Sequence, residues 1–176
     1  QWHFPQIQME DAWDISNGCG TTVAVVDTGV AYEDFDVYSQ ATDLANTTFV
    51  SGYDFVNDDS HPNDDHRHGT HVAGTIAQST NNNLGVAGVA FGATIMPVKV
   101  CDSNGDCPSA AVADGITWAT DNGADVINLS LGGSTPRPIY ETAVNYAYNN
   151  GVVVVASSGN DGAPSVGYPA AYENAI

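Results

Sequence analysis

The chain has 176 residues, 43% of them hydrophobic, which is enough for one domain with a real core. No apolar run approaches the length that spans a bilayer. Its 21 acidic residues are set against only Arg67, Lys99 and Arg137, for a net charge of -18, a balance that repels phosphate backbones and anionic lipid, so neither a nucleic-acid nor a membrane partner is expected. That charge suits salty or calcium-containing surroundings, where cations screen or bind carboxylates. No N-terminal stretch combines basic residues, an apolar core and a cleavage site, so a signal peptide is expected to have been removed or never present.

TTVAVVD, residues 21–27, is a β-branched run without polar alternation, as expected of a parallel strand buried on both faces. It ends at a turn, Asp27-Thr28-Gly29. The acidic stretch over residues 53–67 is turn-rich and irregular. HGTHVAGTIAQ then predicts a helix opening at His68, with Val72, Ala73, Ile76 and Ala77 on a small-residue face. A second strand is expected over residues 93–100 and a helix over 109–122, with Ala111, Val112, Gly115, Ile116 and Ala119 inward. DVINLSL, residues 125–131, predicts a third strand, residues 138–149 a helix entered through Pro138, and GVVVVASSGN, residues 151–160, a fourth strand. The alternation implies an α/β fold: a mostly parallel sheet with helices on both faces, in a single domain over residues 1–176 without repeats or linkers. In such folds functional groups gather beyond the carboxyl ends of the strands, where Asp27, Ser130, Asn160 and the helix start at His68 are all expected.

HRHGTHVAG, His66 to Gly74, permits a metal clamp, a proton shuttle or a polar helix start. A zinc pair on a helix favours histidines four apart with a glutamate between; His68 and His71 are three apart and enclose Gly and Thr. Gly69 allows close approach to the His68 ring, as a general base requires. Asp27 alone reads as a turn cap. Asp27-Thr28-Gly29 also resembles the signature of aspartic proteases, but those are largely β and need a second aspartate. Asn160, in SSGN, reads as a polar strand end or as an amide able to donate to a developing oxyanion. Cys101 and Cys107 flank the turn DSNGD, which can bring them together in a small disulfide and would indicate an oxidising compartment; Cys19 is left over.

Taken together, the order Asp27, His68-Gly69-Thr70-His71, Ser130-Leu131-Gly132-Gly133, then Ser157-Ser158-Gly159-Asn160 resembles the subtilisin-like serine proteases, or subtilases, of thermitase and subtilisin type. The resemblance covers the N-terminal part of that family's catalytic domain. It implies a secreted endopeptidase that cleaves proteins and peptides, with Asp27 orienting His68, His68 as general base and Asn160 as oxyanion donor. Ser130, Leu131 and Gly132 would form one substrate edge and the turn at Gly105 the other, stiffened by a Cys101–Cys107 bridge. Two structural calcium sites are implied as well. The first would use Asp54, Asp59, the His61 carbonyl and Asn63, with Asn57 near. The second would use Asn82, the carbonyls of Thr80, Leu84 and Val86, and the carboxylate of Asp36, with one family ligand expected to lie ahead of this chain. The family's nucleophile sits in Gly-Thr-Ser-x-Ala-x-Pro, a motif absent from these residues, and Ser157, Ser158 and Ser165 lack its surroundings. The serine is therefore expected on a companion or missing C-terminal segment, the alternative being a non-catalytic calcium- or peptide-binding module.

Overall fold

A computed structural model describes residues 1–162 and 164–176. The central strands β1 (Thr22–Asp27), β4 (Thr94–Lys99), β5 (Val126–Leu129) and β6 (Val153–Ala156) are joined by the short strands β2 (Thr48–Phe49) and β3 (Tyr53–Asp54). All pairings are parallel, in the order β2-β4-β1-β5-β6, with β3 continuing the β2 side of β4. The β-branched runs form the inner strands because both of their faces are covered. Val23 and Val25 pack with Ala73 and Ala77 of α3 (His68–Ala77). Ala24 and Val26 point the other way, into the cluster built on α4 (Ser109–Asp121) and α5 (Pro138–Asn149). Helices thus cover both faces of a parallel sheet, as the alternation of elements implies.

Gly115 lets α4 lie close to the sheet: a Cβ there would come within 2.6 Å of Val100 Cγ1. The N-terminal residues form two short helices, α1 (His3–Gln6) and α2 (Met9–Trp13), which the hydrophobic pattern did not announce. They are pinned by aromatic edge contacts from Phe4 to Trp13 and from Trp13 to Phe91, and by Trp13 Nε1 donating to the Val89 carbonyl at 2.8 Å. The strand expected over 151–160 stops at Ala156, and the one over 125–131 stops at Leu129. Beyond those points the chain leaves the sheet to build cleft walls. Register aligns Asp27 with Lys99 across β1 and β4, and Leu129 with Ala156 across β5 and β6, so the carboxyl ends of the central strands share one edge. No helix of the described residues is long and apolar enough to cross a membrane.

Candidate active site

Asp27 closes β1 with its side chain buried, and its Oδ1 lies 2.7 Å from His68 Nδ1 at the start of α3. A carboxylate only accepts, so Nδ1 carries the proton and Nε2 is the free ring nitrogen. The His68 side chain is 47% exposed, whereas that of Asp27 is 2% exposed: the acid is sealed beneath the sheet edge and the imidazole faces outward. Thr28 N–H donates to the same Oδ1 at 2.7 Å, which fixes the carboxylate plane.

The helix start that carries His68 is organised by Asp64. Its carboxylate accepts from the backbone of His66 (2.9 Å), Arg67 (2.8 Å) and Thr70 (2.9 Å), and from the hydroxyls of Thr28 and Thr70. Burial alone would raise the Asp64 carboxyl, but the Thr70 hydroxyl and these N–H groups outweigh it and hold it below the ordinary carboxylate range. The same bonds hold Arg67 at φ 93, a left-handed conformation that a side chain resists. Gly69 N–H reaches Thr28 Oγ1 at 2.9 Å, so one residue ties Asp27, Asp64 and the helix together. Gly69 is required by the chain's own backbone rather than by access to the ring, since a Cβ there would collide with the Gly29 carbonyl.

A cleft of about 570 Å³ opens at His68, lined by Asp27, His66, Gly105, Cys107, Ser130, Leu131, Gly132 and Arg137. Ser130, Leu131 and Gly132 also wall a second cleft of about 510 Å³ with Ser157, Gly159 and Asn160. This segment therefore stands as a divider, steadied by paired backbone bonds between Gly133 and Tyr168 at 2.9 and 2.8 Å. Gly105, at φ 82, turns the opposite wall, and His66 Nε2 lies 3.2 Å from where a side chain's Cβ would stand. Cys101 and Cys107 are bonded across that turn, and Cys19 is free and exposed. Asn160 is exposed in the second cleft and does not line the first with Asp27 and His68. His71 is exposed one helical turn beyond His68, on the outer side of α3. Asp27 meets a histidine rather than a second aspartate, in a parallel α/β sheet, which removes the ground for the aspartic-protease reading.

The two acidic loops differ from expectation in detail. In the first, Asp54 is buried and occupied: Oδ1 accepts from Val56 and Asn57 at 2.7 and 2.9 Å, and Oδ2 from Asn57 Nδ2 at 2.9 Å. Asp59 Oδ1 accepts from His61 N–H at 2.8 Å, and the His61 carbonyl from Asn63 N–H at 2.6 Å. Glu33 enters unannounced, bridging His61 Nδ1 at 2.9 Å and Asn63 Nδ2 at 3.0 Å. Burial would raise its carboxyl, but bonds from His61, Tyr32 and Asn63 lower it. In the second loop, the carboxylate set against Asn82 is Asp43, bonded through Oδ1 at 2.8 Å, rather than Asp36, which lies in an exposed turn closed by Phe35 and Tyr38. Thr80, Leu84 and Val86 belong to that loop, and Gln1 clasps Ala87 through both amide atoms at 2.8 and 2.9 Å. Asn63 Oδ1 and Asp43 Oδ2 are buried without a hydrogen-bond partner among the described residues, one in each loop. No three His, Cys, Asp or Glu side chains converge there, so a cation in either loop would need mixed carboxylate, amide and carbonyl oxygens.

Glu33, Asp43, Asp64 and Lys99 are the residues that sequence reasoning missed. Only Asp64 carried a signal, as a capping-type residue just ahead of the helix start.

Residues 18–176 match the Subtilase family. The chain is 49% identical to thermitase of Thermoactinomyces vulgaris over 97% of its own length and 58% of thermitase. It is 46% identical to a thermophilic serine proteinase of Bacillus sp. (strain AK1), over 94% of this chain and 39% of that protein. The solved structure of Sphericase superposes with a TM-score of 0.78 at 34% identity, covering 90% of this chain and 53% of Sphericase. The chain thus spans somewhat over half the length of thermitase, and with its parallel sheet and its Asp27–His68 pair it belongs to the subtilase family.

Proposed function

We propose that this chain is the base-carrying part of a secreted, calcium-stabilised serine endopeptidase of subtilisin type, folded as one domain. The hydrogen bond of 2.7 Å between His68 Nδ1 and Asp27 Oδ1, at the mouth of a peptide-sized cleft, carries the reading. With Nδ1 committed to Asp27, His68 Nε2 removes the proton of a serine hydroxyl as its oxygen attacks the scissile carbonyl. The Asn160 amide donates to the oxyanion. Protonated His68 then gives its proton to the leaving amine, and a water molecule repeats the sequence to release the acyl group. The substrate backbone runs as an extended strand between the Ser130-Leu131-Gly132 segment and the Gly105 turn, which the Cys101–Cys107 bond stiffens.

The serine would be carried by a missing or companion C-terminal segment. Supporting this, residues 174–176 already begin a parallel pairing with β6: Ile176 N–H donates to Val154 O and Ala156 N–H to Ile176 O, both at 2.9 Å. A strand laid against β6 would continue that ladder. Calcium at the two loops would be held by Asn63, Asp59 and the His61 carbonyl in one, and by Asp43, Asn82 and the carbonyls of Thr80, Leu84 and Val86 in the other. It would neutralise charge in each loop and satisfy Asn63 Oδ1 and Asp43 Oδ2, the two oxygens there that lack a partner among the described residues. A fluorophosphonate serine probe followed by intact-mass spectrometry tests the reading. A labelled companion segment carrying Gly-Thr-Ser supports it, whereas a homogeneous, unlabelled chain points to the non-catalytic binding module.

A further inference from the structure

One buried charge has no place in the chemistry just described. Lys99, at the carboxyl end of β4, is 1% exposed, yet its ammonium group makes a full set of bonds. Nζ donates to the Thr28 carbonyl at 2.7 Å, to Asp65 Oδ1 at 2.5 Å and to the Cys101 carbonyl at 3.1 Å. An ammonium has three protons, and here each has an acceptor, which is the condition for keeping a charge inside a fold.

The three acceptors belong to three chain segments around the site: the end of β1, the end of β4 and the loop before α3. Thr28 follows Asp27 and donates its N–H to Asp27 Oδ1, the oxygen that holds His68. Asp65 belongs to the loop that leads into His66 and His68. Cys101 anchors the disulfide at the Gly105 edge of the cleft. The backbone around Lys99 repeats the connection, since Val100 and Cys101 N–H both donate to the Asp27 carbonyl, at 2.8 and 3.1 Å. Hydrophobic packing alone does not explain an ammonium at this point: a methionine would fill the space without the desolvation cost of the charge. What the ammonium adds is direction: one rigid centre ties the Asp65 loop, which has no ladder to either strand, to the ends of β1 and β4, which the backbone already holds together.

We propose that Lys99 is the positioning residue of the Asp27–His68 pair, acting through Thr28 and Asp65 to hold the carboxylate and the imidazole in register. The inference rests on the assignment of His68 as base, but its test reads the hydrogen bond itself and needs neither a nucleophile nor a substrate. The decisive variant is Lys99→Met/Asp65→Asn, which removes the clamp without changing net charge. The low-field proton resonance of the His68–Asp27 hydrogen bond is followed by NMR on the intact chain. In the double variant this resonance is expected to broaden away, with exchange against water faster by about tenfold or more. Ile116→Ala, in the core under α4, serves as a control of comparable stability loss and is expected to keep the resonance. A resonance that stays sharp in the double variant while stability falls would overturn the proposal and leave Lys99 a purely structural residue. Should the double variant not fold, Asp65→Ala alone removes one acceptor from the rim of the clamp. Exchange about threefold faster then supports the inference, and unchanged exchange refutes it. Failure of the serine probe to label anything would count against the endopeptidase reading and leave this measurement unaffected.

Discussion

The corner that holds Asp27 and His68 and the segment that carries Asn160 both border the Ser130-Leu131-Gly132 divider, yet they are held in opposite ways. In the corner, bonds from Thr28, Asp64, Gly69 and Lys99 interlock, and residues 41 apart in sequence meet at hydrogen-bond distance. Across the divider, residues 157–162 and 164–166 are exposed. Ser157 is fixed by its N–H to the Leu129 carbonyl at 3.0 Å, and Gly167 by its N–H to the Ser158 carbonyl at 3.2 Å. On the proposed reading, the difference teaches that the proton-transfer end of the site is held by interlocking bonds within these residues. The end that would stabilise negative charge takes its geometry from backbone placement and from whatever packs beside it. Preorganisation is costly to supply by contacts made at the moment of reaction, so the sealed corner is where function should be most sensitive.

His68→Ala probes the corner most directly. In the complete enzyme hydrolysis should fall by about 10⁴-fold or more, the scale of losing one member of an acid–base–nucleophile set. The thermal midpoint should move by no more than about 2 °C, because a half-exposed ring contributes little to packing. A variant with near-normal turnover would remove His68 from the role of base. Asn160→Ala, on the loosely held side, should lower kcat by about 10²- to 10³-fold with KM nearly unchanged, since an oxyanion donor acts on the transition state only. If Asn160→Ala instead raised KM and spared kcat, the second cleft would be a binding surface alone.

The contrast between the two sides also marks what the sequence discloses. The four central strands, α3 to α5 and the order of the site residues were legible because each rests on a local pattern: a β-branched run, helical spacing, or a short motif at a strand end; β2 and β3, two residues each, carry no such pattern, and Tyr53–Asp54 falls in the stretch read as irregular. The groups that hold the Asp27–His68 pair from outside were not. Lys99 sits inside an apolar run, ATIMPVKV, where nothing distinguishes a buried, bonded ammonium from one that reaches solvent. Asp36 and Asp43 are equivalent as text; which of them meets Asn82 is decided by the turn Thr42–Leu44, whose direction is a tertiary property. The helices α1 and α2 were missed for the same reason, since aromatic contacts with Phe91 hold them rather than any amphipathic period.

Asp43 gives the next prediction, smaller than the catalytic ones. A cation that satisfies Asp43 Oδ2 and Asn82 at about a hundred times its dissociation constant would stabilise the fold by about 2.7 kcal/mol. Removing calcium with EDTA should therefore lower the thermal midpoint by roughly 5–10 °C in a chain of this size. Asp43→Asn should remove the Asp43 loop's share of that response and leave only what the Asn63 loop contributes, whereas Asp36→Asn should leave the response intact. A reversed pattern would return the ligand role to Asp36.

The smallest effect separates shape from charge within the corner itself. Asp64 caps α3 from a distance, and replacing it with asparagine keeps the volume while turning one acceptor into a donor aimed at N–H groups. Asp64→Asn should cost about 2 kcal/mol at neutral pH, from several weakened bonds and one unfavourable contact. Its folded-state carboxyl titrates below the ordinary range, so the unfolded chain takes up a proton first as pH falls. The stabilisation is accordingly complete above the unfolded value, near pH 4, and is lost as pH drops through the lower folded value. Urea midpoints of the parent and Asp64→Asn should lie apart at pH 7 and converge below about pH 4. Midpoints that stayed equally separated throughout would mean that Asp64 acts by its shape and its neutral hydrogen bonds alone. The charge at the foot of α3 would then have no part in holding His68 in place.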